Sequence, residues 1–340
     1  MTTADPSVVV VPEADSDRPR SLSRNVDLAD RIFRGGLFGA GGFVLVLVGS
    51  IGVFLGYQLV PTLRRYGLHF LTQTQYDPAR NVVGIGSAIV GTVEVAIVAL
   101  VIAFPIALLT ALYISEYAPR RVKSLLVSVI DLMAAVPSIV YGGWGLFLLM
   151  PHLVFVERWL AEWLGWIPIF GIPGTDPRSP QFPQSRYEES VFTAGVVVAM
   201  MVIPIACSVM RNVFDQTPLG EREGAYALGA TRWGMIRAVV LPFGRGAVVG
   251  GTMLGLGRAL GETIAVLLVT QQIYGIKLHI LDHGVITISS MIATGVGVAT
   301  GALLKALLAA GFVLFLMTLA VNSLAAVIVG RSRSGAGVDL

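Results

Sequence analysis

An arginine and a glutamate stand four residues apart in GLGRALGET, residues 255–263, inside a stretch otherwise made of glycine, leucine, valine and alanine. A charged side chain at the middle of a bilayer costs about 2.5–3.5 kcal/mol, so Arg258 and Glu262 facing lipid unpaired would together cost roughly 5–7 kcal/mol. On a helix the two share one face, where an ion pair offsets part of that cost. Gly251 and Gly255 fall on the same stripe at 100° per residue, which leaves little bulk beside the charges and suits a pathway or a close helix contact. A guanidinium can hold a phosphate-like oxyanion through two parallel hydrogen bonds. Glu262 would then neutralise Arg258 when no anion is present and weaken its grip enough for release. The alternative is a buried pair that only locks helix packing. Ionisable groups in membranes are by default functional, and that default favours transport. Glu94 and Asp131 are further intramembrane acids; each either takes part or reaches an interface or a neighbouring hydroxyl.

The elements that position these residues are apolar. Of 340 residues, 55% are hydrophobic and 13% charged, with a mean hydropathy of +0.77, against about 25% charged in soluble domains. Six runs are long enough to cross a bilayer, at 36–60, 87–113, 124–150, 191–209, 241–270 and 302–329. The expected fold is an all-α membrane protein of six transmembrane helices. Pro105, Pro137 and Pro204 inside these runs point to a bundle in which freed backbone groups find partners. With a cytoplasmic amino terminus, fifteen Lys and Arg fall on inside segments and seven on outside ones. Both termini are therefore predicted to be cytoplasmic. The same topology accounts for the pI of 9.1, which is no argument for nucleic acid. Residues 1–30 read as a disordered cytoplasmic tail, 31–330 as the transmembrane domain, and 331–340 as a second tail. No secretory signal peptide is evident. The single cysteine, Cys207, reads as a small buried apolar side chain.

Two connecting segments are long. In the outer one, 151–190, the stretch VFVERWLAEWLGWIPIF puts Trp159, Trp163 and Trp166 on one face of a helix. It is expected to lie on the outer surface as part of an aromatic belt, or to dock an external partner. The remainder, GIPGTDPRSPQFPQSRYEES, reads as irregular loop. The inner segment, 211–242, reads as helix, turn and helix: Thr217 caps ahead of Pro218, Gly229 breaks the first helix, Thr231 caps the second, and Pro242 marks the junction with the next span. Its length exceeds the roughly two to eight residues that a connector needs, which points to a docking surface. There is no GxxxxGK[ST] loop, and neither GLGRALG nor GVGVATG fits GxGxxG. No cofactor is expected, and any ATP would be bound by a partner. His279 and His283 are two potential ligands without a third, so no metal is expected.

EGAYALGATRWGMIRAVVLP, residues 223–242, resembles the EAA motif of ABC importer permeases: EAA, three residues, G, nine residues, then I-x-LP. Glu223, Ala225, Gly229, Leu241 and Pro242 match; Gly224 replaces the usual alanine and Val239 the isoleucine, while Ala230 follows the glycine. SEYAP at 115–119, VPSIVYG at 136–142 and MLGLGRALGETIAV at 253–266 are similar to the phosphate-specific permease subunits of the PstC group. The resemblance covers roughly 31–330. It implies a type I ABC importer permease fold with its core at 87–330, in which residues 218–237 within 211–242 form the loop that couples to an ATPase dimer (PstB-like). It further implies a second permease subunit (PstA-like) completing a heterodimeric pore, an extracytoplasmic phosphate-binding protein (PstS-like), a bacterial plasma-membrane location, and phosphate translocation by Arg258 and Glu262 without ATP hydrolysis by this chain. Left open are a permease for sulfate or molybdate, a proton-coupled secondary transporter using Glu262, Glu94 and Asp131, and a non-transporting scaffold.

Overall fold

The computed structural model describes residues 28–77, 80, 82–179 and 182–332. The expected tails therefore lie mostly outside the described residues, although 28–30 and 331–332 are helical. The chain divides into two units at Ile51. Among the described residues the first contains only the beginning of α1 (Leu28–Tyr66), a helix whose side chains there are exposed.

The second unit, from Gly52 onward, is a helical bundle with one short antiparallel pair, β1 (Tyr76–Asp77) and β2 (Val82–Val83), following α2 (His69–Thr72). At its centre α3 (Gly86–Leu112) packs along the helix Val191–Phe214. Small residues on α3 make this possible: Ala88, Thr92, Ala96, Ala99, Ala103, Ala107 and Ala111 are all buried. They recur at three- and four-residue spacings, so they share one face and let the neighbouring backbone approach closely. Gly195 completes the fit, since a Cβ there would collide with Val98.

The third apolar run is not one helix. α4 (Arg120–Ala135) ends before Pro137, and Val136 is extended at ψ 131°, as a residue preceding proline prefers. α4 carries Arg120, Arg121, Lys123 and Asp131 and is amphipathic. The helix long and apolar enough to span instead runs Ser138–Leu164, through α5 (Ser138–Trp144), a π turn at Gly145–Leu149, and α6 (Met150–Leu164). Trp159 and Trp163 therefore belong to its last turns and Trp166 to the turn beyond, all three exposed; there is no separate surface helix at 154–170.

α7 (Val191–Phe214) starts at Ser190, whose hydroxyl accepts from the Thr193 amide at 3.0 Å. After it come α8 (Leu219–Ala227), α9 (Arg232–Met235), a second π turn at Ile236–Val240, α10 (Leu241–Phe243) and α11 (Arg245–Gly261). The chain bends by 67° at Gly244, where a Cβ would strike the ring of Phe214. The fifth run also breaks, because α11 stops at Gly261, and α12 (Ile264–Val269) is separate from it. Extended chain then leads to α13 (Ile288–Gly295) and α14 (Gly301–Ser332). Among the described residues five helices are long and apolar enough to cross a membrane, or six if the bent pair Arg232–Phe243 and Arg245–Gly261 is one span.

Candidate translocation site and coupling surface

Arg258 lies on the last turn of α11, about 20 Å along the helix from Arg245 at 1.5 Å per residue. Glycines seat this helix. A Cβ on Gly255 would lie 2.5 Å from Val202 Cγ1, and one on Gly251 would lie 3.1 Å from the Ala206 carbonyl, both on α7. The glycine stripe is thus a close helix contact. On the α14 side, Gly257 makes room for Asn322, whose Oδ1 would be 3.0 Å from an added Cβ.

The expected helical pair of Arg258 with Glu262 does not form. Glu262 leaves the helix with φ −68° and ψ 129°, and Thr263 continues at φ −116°, so the i, i+4 geometry is lost. Glu262 is only 8% exposed. Its Oε1 faces the Ala265 amide of α12 at 3.4 Å, and its backbone carbonyl accepts from Ser289 Oγ at 2.7 Å. It caps a helix start instead of pairing with a cation. Arg258 is exposed, and among the described residues it has no ion pair or hydrogen bond. On α5 the Tyr141 hydroxyl donates to the Met133 carbonyl at 2.8 Å.

The other expected acids do not join this site. Glu94 is half-buried on α3, lining a small cavity with Lys277 and His279. Asp131 is on α4 and not in a span; it is half-exposed and 4.0 Å from Arg211 Nη2. An acid that sequence reasoning missed, Glu157 on α6, is fully buried. Its Oε1 accepts from Ser190 Oγ at 2.5 Å and Thr193 Oγ1 at 2.9 Å. Asp282, in the loop before α13, gathers Lys277 at 3.2 Å, Arg186 at 3.4 Å and His283 at 3.1 Å. Burial pushes its carboxyl up, but the His283 hydrogen bond and the Lys277 and Arg186 charges outweigh burial and hold it below the usual carboxylate range. His279 Nδ1 lies 2.7 Å from the Pro168 carbonyl.

At the α8–α9 end of the bundle, Gly229 sits at φ +83° and closes α8. The Ala230 amide bonds the Ala225 carbonyl at 3.0 Å and the Gly229 amide the Tyr226 carbonyl at 2.9 Å, the paired bonds of a Schellman ending. Thr231 Oγ1 then accepts from the Gly234 amide at 3.1 Å. Thr217, by contrast, is not a cap; Pro218 holds that position, and the Thr217 hydroxyl is buried without a partner among the described residues. Glu223, Gly224 and Gly229 are exposed, while Ala225, Ala230, Leu241 and Pro242 are partly buried. Around them Leu219 (72%), Leu228 (91%), Tyr226 and Trp233 present apolar surface to solvent. Isolated exposed apolar residues are ordinary; here four of them fall on one short hairpin.

The sequence matches the family described as "Binding-protein-dependent transport system inner membrane component" over residues 103–334. The chain belongs to that family. It is 38% identical over 314 residues to "Phosphate transport system permease protein PstC 2" of Mycobacterium tuberculosis, covering 90% of this chain and 93% of that protein. With "Phosphate transport system permease protein PstC" of Xylella fastidiosa it shares 38% over 294 residues, covering 86% and 88%. With the PstC of Pasteurella multocida it shares 36% over 296 residues, covering 87% and 90%. Its fold resembles a chain of a bacterial ABC transporter involved in import of the acidic polysaccharide alginate, at TM-score 0.52, 19% identity, 89% of this chain and 98% of that one. A chain of a bacterial alginate ABC transporter in complex with an alginate pentasaccharide-bound periplasmic protein gives TM-score 0.53 and 19% identity over 88% of this chain and 95% of that one. The protein is thus an all-α integral membrane permease of the ABC transporter type, a pore-forming subunit.

Proposed function

We propose that this chain is a phosphate-translocating permease subunit of an ATP-driven importer. The observation that carries the reading is Arg258: a guanidinium far along a glycine-seated helix, exposed and without an ion pair among the described residues, in a chain whose relatives are phosphate transport system permeases. A free guanidinium offers an oxyanion a planar fork of donors. Substrate would pass between this chain and a PstA-like second permease subunit. A PstB-like ATPase dimer would dock on the hairpin of Leu219, Glu223, Tyr226 and Leu228, and a PstS-like binding protein would deliver phosphate at the opposite end. The distribution of basic residues supports cytoplasmic termini in a bacterial plasma membrane.

The test is radiolabelled phosphate uptake into proteoliposomes holding the complete complex, with sulfate as competitor. Losing a charge-assisted hydrogen bond of about 1.5–3 kcal/mol lowers anion affinity by roughly 10- to 100-fold. Arg258→Gln is therefore expected to abolish uptake at low phosphate while the complex still assembles. Normal uptake in that variant refutes the site, and uptake driven by a proton gradient without the ATPase refutes the function.

A further inference from the structure

The hairpin α8–α9 is tied to the end of α3 at Glu116 and its neighbour Tyr117. Glu116 lies in the π turn Tyr113–Tyr117 that extends α3, and it is only 6% exposed. Arg222 on α8 places Nη1 3.1 Å from its Oε1 and 3.3 Å from its Oε2, while Ser115 Oγ donates to Oε1 at 2.9 Å. The same arginine sends Nη2 to the Phe214 carbonyl at 2.6 Å, so it also grips the end of α7. Arg232 on α9 donates to the Glu116 backbone carbonyl and lies over the Tyr117 ring, 4.6 Å from its centre. One turn of α3 is therefore held from both arms of the hairpin.

The arrangement is more specific than a stabilising surface pair. The carboxylate and Arg222 are both largely shielded, with side-chain exposures of 4% and 17%, so the bond is screened little and breaking it leaves a buried charge. The Arg222 Nε is buried without an acceptor among the described residues. Irregular π turns recur at functional positions, and here they occur on both sides of the contact, at Tyr113–Tyr117 and Ile236–Val240.

We propose that Glu116 is a positioning residue that clamps the hairpin to α3, so that a shift imposed on the hairpin by the ATPase moves α3 with it. The proposal rests on the coupling role inferred above. α3 packs on α7 and α11, so displacement of its end reaches the helix that carries Arg258. Without the carboxylate, Arg222 of α8 loses its hold on α3 and only Arg232 of α9 remains, so the hairpin moves further than α3 does.

The experiment uses the complete reconstituted complex and two readouts. In the first, phosphate moved per ATP hydrolysed is expected to fall about tenfold in Glu116→Gln and in Arg222→Met, the change that losing about 1.5 kcal/mol of charge-assisted bonding produces. ATP hydrolysis itself persists. The double variant is expected to be no worse than Arg222→Met alone, because Glu116→Gln removes only a contact that Arg222→Met has already lost. An unchanged ratio, or losses that multiply in the double variant, overturns the clamp. The second readout needs no phosphate: spin labels at Glu221→Cys on α8 and Leu109→Cys on α3 report their separation during ATP turnover. Cys207 is buried and leaves labelling to the introduced pair. The separation is expected to stay constant in the parent and to change in Glu116→Gln; equal behaviour of the two overturns the clamp. If the parent complex moves no phosphate, the substrate assignment fails while the label separation still decides the clamp.

Discussion

Gly229 separates backbone conformation from steric room. Its φ is +83°, yet a Cβ built there meets nothing within 4 Å. A side chain at this position therefore costs only what the left-handed conformation costs, about 1–2 kcal/mol for an L residue and toward the upper end for a β-branched one. Taking about 2 kcal/mol, Gly229→Val raises the opening equilibrium of the hairpin turn by roughly 30-fold. Asn tolerates this region, so Gly229→Asn should cost clearly less. The reporter is hydrogen exchange at the Ala230 amide, which bonds the Ala225 carbonyl only while the turn is closed. In the assembled complex the same valine variant is expected to hydrolyse ATP with less phosphate moved per ATP. Exchange at Ala230 no faster in Val than in Asn, after correction for intrinsic rates, would refute the conformational argument. Coupling retained in a variant with demonstrably faster exchange would show that the turn is not part of the machinery.

Two further outcomes follow from packing and charge. Gly255→Ala is expected to destabilise by about 1–3 kcal/mol, because Val202 is β-branched and packed and cannot swing aside; Gly224→Ala, on the open face of α8, should stabilise by about 0.5–1 kcal/mol, and thermal melting that ranks the two the other way sinks this account. The Asp282 carboxyl is depressed in the folded chain, so its stabilisation is complete above the ordinary carboxylate value near 4 and is lost as pH falls through the folded value. Exchange of the 277–283 amides should rise below about pH 4 in the parent, and Asp282→Asn should show raised exchange already at neutral pH without that acid step; an identical acid profile in both rules out Asp282 as the group responsible.

Sequence pattern located the α1, α3, α7 and α14 spans because each is a long apolar run without an internal break. The Gly229 turn was legible for a related reason: glycine and Thr231 carry their conformational meaning locally. The third and fifth runs failed where hydropathy overrode punctuation. Pro137 lies within an apolar run, but it ends α4, which carries Arg120, Arg121, Lys123 and Asp131. Gly261 lies within an apolar run that suggests a continuous helix, but it is where α11 stops. Glu116 stood in plain view within SEYAP, but its partners are 106 and 116 residues away, and no local spacing reveals a bond of that separation. Glu157 was hidden by the tryptophans around it; the hydroxyls that satisfy it come from Ser190 and Thr193, 33 and 36 residues on.

The break at Glu262 changes what the two charges can do. In a continuous helix Glu262 would have offset Arg258 and reduced its attraction for any other anion. Turned inward to cap α12, it leaves the guanidinium uncompensated on an exposed face, at a cost of about 2.5–3.5 kcal/mol if that face met lipid at mid-bilayer. The neighbouring surface is not made for lipid either: Asn322 and Ser323 on α14 are exposed, and Asn322 lies against Gly257, one residue from the arginine. A polar strip of this kind is tolerated where it meets another subunit or a water-filled path. On the proposed function it does both, which places the anion at the boundary between two permease subunits. Specificity for phosphate over sulfate then depends on what the second subunit contributes opposite Arg258, because a single guanidinium offers the same fork of donors to either oxyanion.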